Sequence, residues 1–439
     1  MTHSAHALAT VDAVKKAVHG RSSWMTAQLK ALVEAKSFSG HEEAAQAVMR
    51  GLLRDLQFDV VDVPVEPAKL AAHPKLGFLY SPVVAQLTGC ANLWATHQPK
   101  ASSGKSLLIN GHVDVVPTGA AALWARDPFE TYIEDGWFFG RGAGDMKSGL
   151  ICVVTALQAL RDLGFVPAAP FYFNSVVEEE CTGNGALASA AYAHDHAIQI
   201  DAMLDPEPFG ETLLSAQVGT VWGQFHLVGR PAHAAYAQQG INPIEAAMHV
   251  WQALKVLEAQ WNEPARKHAA FTDIAHPLNF NLGKIAGGEW ASSVPTTCRV
   301  DFRFGIYPGR DPAEAKAEVE ATIRAALAEL AARKEAPRCT ITWEGFHAPG
   351  CEVDLTAAPM TLLADCHTQL HGSGPRAGAL TGTTDLRHFI LGLGIPSTCY
   401  GAHAKNIHGL DECVSLASME RVAMTYALFI AQWCGLESV

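Results

Sequence analysis

The stretch that most limits how this chain can fold is residues 107–116, LLINGHVDVV, an apolar and β-branched run interrupted by a histidine and an aspartate. Leu107, Leu108 and Ile109 read as a buried strand, and Val113, Val115 and Val116 carry the β-branched character on, so a strand is expected over 107–117. His112 and Asp114 stand two apart, which on an extended backbone puts both side chains on one face. The carboxylate then either fixes the tautomer of the imidazole or holds nearby main chain. Further along, Asp145 follows Gly140, Gly142 and Gly144 and precedes an amphipathic helix. Glycine lets backbone come close to a buried ion. Aspartate is a hard oxygen ligand and histidine a borderline nitrogen ligand, a mixture that suits Zn²⁺, Mn²⁺ or Co²⁺. Taken singly, a His-x-Asp is usually a structural hydrogen bond and a Gly-Asp usually a turn, so the case depends on what else converges there.

Helical spacing runs over residues 10–35, and SFSGHEE (37–43) starts a second helix that extends through Leu56. Phe58–Val65 reads as a short strand. Residues 66–105, with Pro67, Pro74, Pro82 and Pro99, read mainly as loop around a strand near Asn92–Thr96. A helix over Lys147–Leu163 is followed by a strand, Pro170–Val177, that runs directly into Glu178, Glu179 and Glu180. Three consecutive carboxylates there are costly through repulsion and desolvation unless a cation compensates. A short strand, Ile200–Leu204, likewise stops at Asp205 and Glu207. His112 and these acids thus stand at carboxyl ends of strands in a β/α alternation, and in open α/β sheets such ends meet at one crevice. More carboxylates than one ion requires point to two ions.

Residues 216–347 change character: strand (Val221–Val228), helix (Pro243–Trp261), two strands (Leu278–Ile285, Thr297–Phe304), helix (Pro312–Ala332), strand (Cys339–Trp343). That βαββαβ order is a complete ferredoxin-like unit. With 439 residues, too many for one ordinary core, it reads as an inserted second domain. The expected architecture is an α/β catalytic domain, a mixed sheet with helices on both faces, built from residues 1–215 and 348–439 and interrupted by a smaller ferredoxin-like lid or dimerisation domain at 216–347. Within that insertion His233 sits in GRPAHAA and Arg303 in DFRF. After it come a helix (Met360–Leu370), the glycine-rich GALTGTTDLRHF, a segment near Pro396–Tyr400, the loop GAHAKNIHGLDECV and a closing helix, Leu416–Trp433. His408 and His403 in that loop compete for a place at the site.

A net charge of −12 argues against a nucleic-acid or anionic-membrane surface. No segment is long and apolar enough to span a bilayer, and the first residues do not read as a signal peptide. Ten scattered cysteines with no CxxC suggest reduced thiols in a cytoplasmic protein.

In combination GHVDVVP, GRGAGDMKSG, EEECTGNGA, GRPAHAA and NIHGLDE make nearly the whole chain resemble the M20 family of dinuclear metallopeptidases and amidohydrolases. That family includes acetylornithine deacetylase, succinyl-diaminopimelate desuccinylase and glutamate carboxypeptidases. The resemblance implies two divalent metal ions, zinc first with cobalt or manganese as alternatives, held by His112, Asp145, Glu180, Glu207 and His408. Asp145 would bridge the two ions and be followed by a cis peptide, and Asp205 is the rival to Glu207. Glu179 would be the general base and Asp114 the acid that orients His112. His233 would stabilise the tetrahedral intermediate, often from across a dimer, and Arg303 would bind a substrate carboxylate. Glu178 replaces the family's usual aspartate, and SSVP at 292–295 stands where many members carry Asn-Val-Pro. The implied activity is deacylation of a small N-acyl amino acid by a homodimer paired through the lid, with a dipeptidase or carboxypeptidase as the alternative. A mononuclear enzyme and a non-catalytic binding protein are the other options; an intact Glu179 and full ligand set speak against the latter.

Overall fold

The structure is a computed structural model that describes residues 10–82, 90–333 and 335–439. Residues 1–9, which the reading above took to lack a leader, and 83–89, part of the stretch read as loop, lie outside the described residues.

The helical stretch at the start is two helices, α1 (Val11–Gly20) and α2 (Ser22–Glu34), rather than one. The break falls at Arg21, just after Gly20, a residue that weakens a helix. The Arg21 guanidinium is held by Asp162 at 2.6 Å. α3 (Glu43–Asp55) follows, then strand β1 (Asp59–Pro64). The proline-rich stretch is more ordered than its sequence suggests. It holds a short helix, Pro67–Ala71, opened by its proline as a first helical residue allows, before β2 (Ala91–His97).

β3 (Leu107–His112), α4 (Ser148–Asp162), β4 (Phe171–Val176), α5 (Asn184–Asp195) and β5 (Ala202–Asp205) supply the alternation. β3 is shorter than expected. Val113 N–H still reaches Val176 O, but Val115 N–H turns to Ser37 O, so pairing passes from the sheet to the 37–38 loop. The six-stranded sheet runs β1-β2-β4-β3-β5 and ends on Ser397–Cys399. β1, β2 and β4 pair antiparallel, whereas β4, β3, β5 and Ser397–Cys399 pair parallel. Both faces are covered. Leu107, Ile109, Phe171 and Phe173 pack into one core with α1–α4 and the closing helix. Leu108, Tyr172 and Met203 pack into another with α5. This is the two-residue period of a strand buried on each side.

A third core belongs to residues 216–327. There β6 (Gly219–Val228), α6 (Pro243–Trp261), β7 (Asn281–Gly287), β8 (Thr297–Ile306), α7 (Pro312–Arg333) and β9 (Arg338–Thr342) form an antiparallel sheet in the order β7-β8-β6-β9. α6 begins at Asn242, whose side chain accepts from Ile244 N–H and Glu245 N–H, with Pro243 as first helical residue. The sheet order is that of a ferredoxin-like unit, so the α/β class with an inserted ferredoxin-like unit is what forms. α8 (Ala358–His371) and α9 (Leu416–Trp433) return to the first sheet. Leu213–Gln217, which the sequence reading passed over, pairs antiparallel with Cys351–Glu352 and parallel with Ala377–Leu380. It thereby ties the chain on either side of the insertion together.

Candidate metal centre

The three parallel strands β4, β3 and β5 stop at one edge of the sheet, and each stops at charged residues. β3 ends on His112, β4 leads into Glu178–Glu180, and β5 ends on Asp205 two residues before Glu207. Asp145 arrives from the side on the Gly140–Lys147 turn. Gly142 there has φ +82°, and a side-chain carbon on it would lie 2.4 Å from Val115 Cγ1. A carbon on Gly149, in the first turn of α4, would lie 1.9 Å from Pro206 O. Glycine at that point is what lets the helix after Asp145 press against the segment bearing Glu207. The Asp145–Met146 peptide is cis.

These residues form two clusters with one member in common. His112, Asp145 and Glu207 each offer a ligand atom within 4.8 Å of the others, and so do Asp145, Glu180 and His408. Asp145 turns a different oxygen to each: Oδ1 lies 3.1 Å from His112 Nε2 and Oδ2 lies 3.3 Å from His408 Nε2. His408 Nε2 also lies 3.0 Å from Glu180 Oε2, and His112 Nε2 lies 3.8 Å from Glu207 Oε1. His112 Nδ1 is 2.9 Å from the Asp114 main-chain oxygen and 3.6 Å from its carboxylate. The Nδ1–H therefore donates to a carbonyl, which leaves Nε2 facing Asp145, where it donates to Oδ1 when protonated and offers its lone pair to a cation when neutral.

The hydrogen bonds of the Asp114 carboxylate go to main chain and to Ser39, while the His112 ring stands 3.6 Å from it. The carboxylate accepts from Glu179 N–H at 3.1 Å, Glu180 N–H at 3.2 Å and the Ser39 hydroxyl at 3.0 Å. It thus holds the backbone of the glutamate triplet. Glu178 turns out of the cluster: it has φ +62° and its carboxylate takes the Thr182 hydroxyl at 2.9 Å. Glu179 and Glu180 are left on the cluster side. Glu179 is buried, with Oε1 lacking any hydrogen-bond partner. Asp205 is fully buried with both oxygens unpartnered.

The electrostatics are those of a place short of positive charge. Burial, then Asp385 and other neighbouring acids, pushes Glu179 well above the usual carboxylate range. Burial and Asp145 do the same to Glu207, and burial and Asp385 to Asp205, while burial and Asp145 raise Glu180. His112 is pulled down by burial, but its bond to Asp145 and the charges of Glu207, Asp114 and Glu179 outweigh that and raise it well above an ordinary histidine. His408, opposed by burial but bonded to Asp145 and Glu180, is pushed up to about 11. Protons are thus drawn to the positions a cation would fill, the behaviour of a ligand set built for one. The borderline nitrogens and hard oxygens fit a divalent transition metal, and a carboxylate facing two clusters fits a bridge.

Three supporting residues escaped the sequence reading. Glu412 is buried, and its carboxylate accepts from Gly142 N–H, Gly144 N–H and Asp145 N–H at 2.9–3.1 Å and from the Arg141 guanidinium at 2.5 Å. It fixes the turn that presents Asp145. Its signal was the acid ending NIHGLDE, a motif quoted only for its histidine. Asp385 accepts from Asn110 Nδ2 at 3.2 Å, and Arg387, fully buried, donates to the main-chain oxygens of Thr384 and Thr182. Both stand in TTDLRHF, directly after the glycines of GALTG. Of the two competing loop histidines, His408 reaches the clusters, whereas His403 lies edge-on to Trp137 at 5.4 Å.

His233 and Arg303 lie on the inserted unit, and no hydrogen bond or ion pair among the described residues joins either to the clusters. His233 is exposed, and its Nδ1 accepts from Ala235 N–H, leaving Nε2–H outward. Its strand partner is Ser293 of the SSVP segment. Arg303 reaches the Thr220 hydroxyl at 3.4 Å, and its Nε has no partner.

The model of peptidase family M20/M25/M40 matches residues 108–432. The chain is 30% identical over 252 residues to a succinyl-diaminopimelate desuccinylase of Polynucleobacter necessarius, a match that spans 54% of this chain and 62% of that protein. It is 30% identical over 332 residues to the enzyme of the same name from Methylobacterium radiotolerans, covering 74% of this chain and 80% of the other. Among solved structures, a dipeptidase from Saccharomyces cerevisiae superposes with a TM-score of 0.80 at 15% identity, over 98% of this chain and 99% of that one. A dinuclear metal-binding peptidase from Bacillus subtilis gives 0.58 at 15% identity, over 95% and 99%.

Proposed function

Since the chain belongs to peptidase family M20/M25/M40 and is a metal-dependent hydrolase, we propose that it cleaves the amide bond of an N-acyl amino acid, with a desuccinylase or deacetylase the closest functional type. The observation that carries the reading is the pair of clusters sharing Asp145 through separate oxygens, with the unpartnered Glu179 Oε1 buried near them. In this reading His112, Asp145 and Glu207 hold one divalent ion, and Asp145, Glu180 and His408 hold a second, zinc before cobalt or manganese. When bound, such ions make water acidic enough to be deprotonated near neutral pH. Glu179 takes the proton of the attacking water and returns it to the leaving amine. Asp114 and Glu412 position the main chain on which Glu179, Glu180 and Asp145 stand. Residues 216–347 act as a lid whose closure excludes water. From it His233 supports the developing oxyanion, in its own subunit or across a dimer formed through the lid, and Arg303 grips the free carboxylate of the substrate. Residues 1–215 and 348–439 form the catalytic domain.

The substrate class draws on the two desuccinylase matches. A dipeptidase or carboxypeptidase is the second reading, favoured by the likeness in fold to the yeast dipeptidase. Free thiols at all ten cysteines accord with a cytoplasmic setting. Among the described residues no helix is long and apolar enough to cross a membrane. The test is hydrolysis of N-succinyl and N-acetyl amino acids beside dipeptides, before chelation, after it, and after zinc is restored. Metal-dependent turnover of the N-acyl substrates is expected. Turnover confined to dipeptides replaces the first reading with the second, and turnover that persists after complete chelation defeats both.

A further inference from the structure

We propose that Glu211, His367 and His371 form a separate divalent-cation site that joins the segment bearing Glu207 to helix α8. His367 and His371 stand at i and i+4 on α8, so both rings project from one face, with centroids 4.6 Å apart. One donor atom from each of them and one from Glu211 lie within 4.8 Å of one another.

The hydrogen bonds around the pair show which nitrogens are available. The Thr425 hydroxyl donates to Arg421 O at 2.9 Å. With its single proton spent there, Thr425 Oγ1 accepts from the Tyr400 hydroxyl at 3.3 Å and from His371 Nε2 at 3.0 Å. Tyr400 has then spent its own proton, so at 2.6 Å it accepts from His367 Nδ1–H. A neutral imidazole carries one N–H. His367 Nε2 and His371 Nδ1 therefore keep their lone pairs, and no hydrogen bond among the described residues engages either. A histidine whose other nitrogen donates to a fixed oxygen is the arrangement that orients metal-binding imidazoles. Glu211 Oε1 takes the Ser418 hydroxyl and Arg421, whereas Oε2 takes only Arg421 Nε at 2.9 Å and has a lone pair to spare.

A second surface cluster shows what the same residue types look like without this feature. His73 also lies beside His194 and Asp195. Its Nδ1, however, accepts from Lys75 N–H and Leu76 N–H, so its Nε2 carries the proton and has nothing to give an ion.

Two borderline nitrogens and one oxygen suit Zn²⁺, Co²⁺, Ni²⁺ or Cu²⁺, with water completing the coordination. Arg421 already balances the charge of Glu211, so this ion is held more loosely than those of the principal centre and a chelator removes it first. Gly210 N–H and Glu211 N–H bond to Ala402 O and Gly401 O. An ion on Glu211 would add a further tie between this segment and α8, beside the Arg421 ion pair and these hydrogen bonds.

Wild type and His371→Gln, each with its principal centre loaded, are dialysed against the same micromolar free zinc and their metal content is counted. The expected result is one zinc fewer per chain in the variant, with hydrolysis of a common substrate unchanged. Because the reading is a difference between two proteins, it stands whatever the principal centre holds. Equal counts overturn the proposal, and so does a lost ion accompanied by lost hydrolysis, since that ion belongs to the principal centre. If the variant does not fold, zinc-edge anomalous scattering from wild-type crystals equilibrated at the same free zinc decides the matter. A peak among Glu211, His367 and His371 supports the site, and peaks elsewhere only overturn it.

Discussion

Two kinds of buried carboxylate lie next to each other in this molecule. Asp114 and Glu412 are saturated: each accepts at least two main-chain N–H groups and a further side-chain donor. Glu179, Asp205 and Glu207 are starved. Glu179 Oε1 and both oxygens of Asp205 have no partner, and Glu207 has His112 only at 3.8 Å. A buried charge without donors is costly enough that a chain keeps it only where something else compensates. The saturated acids therefore read as scaffold and the starved ones as the groups that meet a cation, a water or a proton. Glu42 lies between the two kinds, buried with Oε1 on Gly40 N–H at 2.8 Å and Oε2 unpartnered.

The contrast breaks or sharpens under four changes. Glu179→Gln removes a starved acid and keeps its shape. It is expected to cut the hydrolytic rate roughly 10²–10⁴-fold with metal content and melting temperature unchanged, the loss typical of a missing general base. Near wild-type turnover would move that role to another carboxylate. Glu412→Ala removes a saturated acid and strands Arg141 with three N–H groups, so denaturant unfolding should show a loss of about 3–5 kcal/mol. A melting curve like that of wild type would deny Glu412 its scaffold role.

Chelation starves the centre further, and an ion held at 10²–10³ times its Kd accounts for roughly 3–4 kcal/mol of stability. A thermal melt with and without chelator should fall accordingly, by the same amount in Glu179→Gln. An unchanged melt would mean that the acids are balanced from within the protein. Glu42→Gln gives the smallest effect. Burial, then the charge of Asp114, pushes Glu42 up to about 7 from an ordinary value near 4.5. The folded state thus holds this proton more tightly than the unfolded chain. Its stabilising contribution is complete below the unfolded value and is lost as pH rises to about 7. The glutamine variant should equal wild type at low pH and exceed it above pH 7 by on the order of 2 kcal/mol, read by urea unfolding at both ends. Parallel pH profiles would place Glu42 among the saturated acids.

Much of the fold was legible from pattern, because burial on both faces of β3 and β4 and the apolar stripe of α9 are written residue by residue in Leu107–Ile109, Phe171–Phe173 and Leu416–Trp433. The inserted unit was legible for the same reason, since its alternation of strands and helices is written in local periodicity, although its central strand β6 pairs with β8 and β9, which are distant in sequence. What local pattern could not supply was any pairing across the chain. Leu213–Gln217 is a strand only because Cys351–Glu352 and Ala377–Leu380 come to lie beside it. β3 stops at His112 only because the 37–38 loop captures Val115.

The candidate centre divides along the same line. Residue chemistry alone brought forward His112, Asp145, the Glu178–Glu180 triplet, Asp205 and Glu207, since acids placed at strand ends are expensive wherever the chain goes, and it left His408 and His403 competing; the choice of Glu179, Glu180, Glu207 and His408 came from the family resemblance. Which oxygen of Asp145 faces which histidine, that Asp114 serves main chain, and that Glu412 grips the turn at Asp145 N–H were decided in three dimensions. Hydrogen bonds depend on distance and direction between groups far apart in sequence, and neither is carried by residue identity.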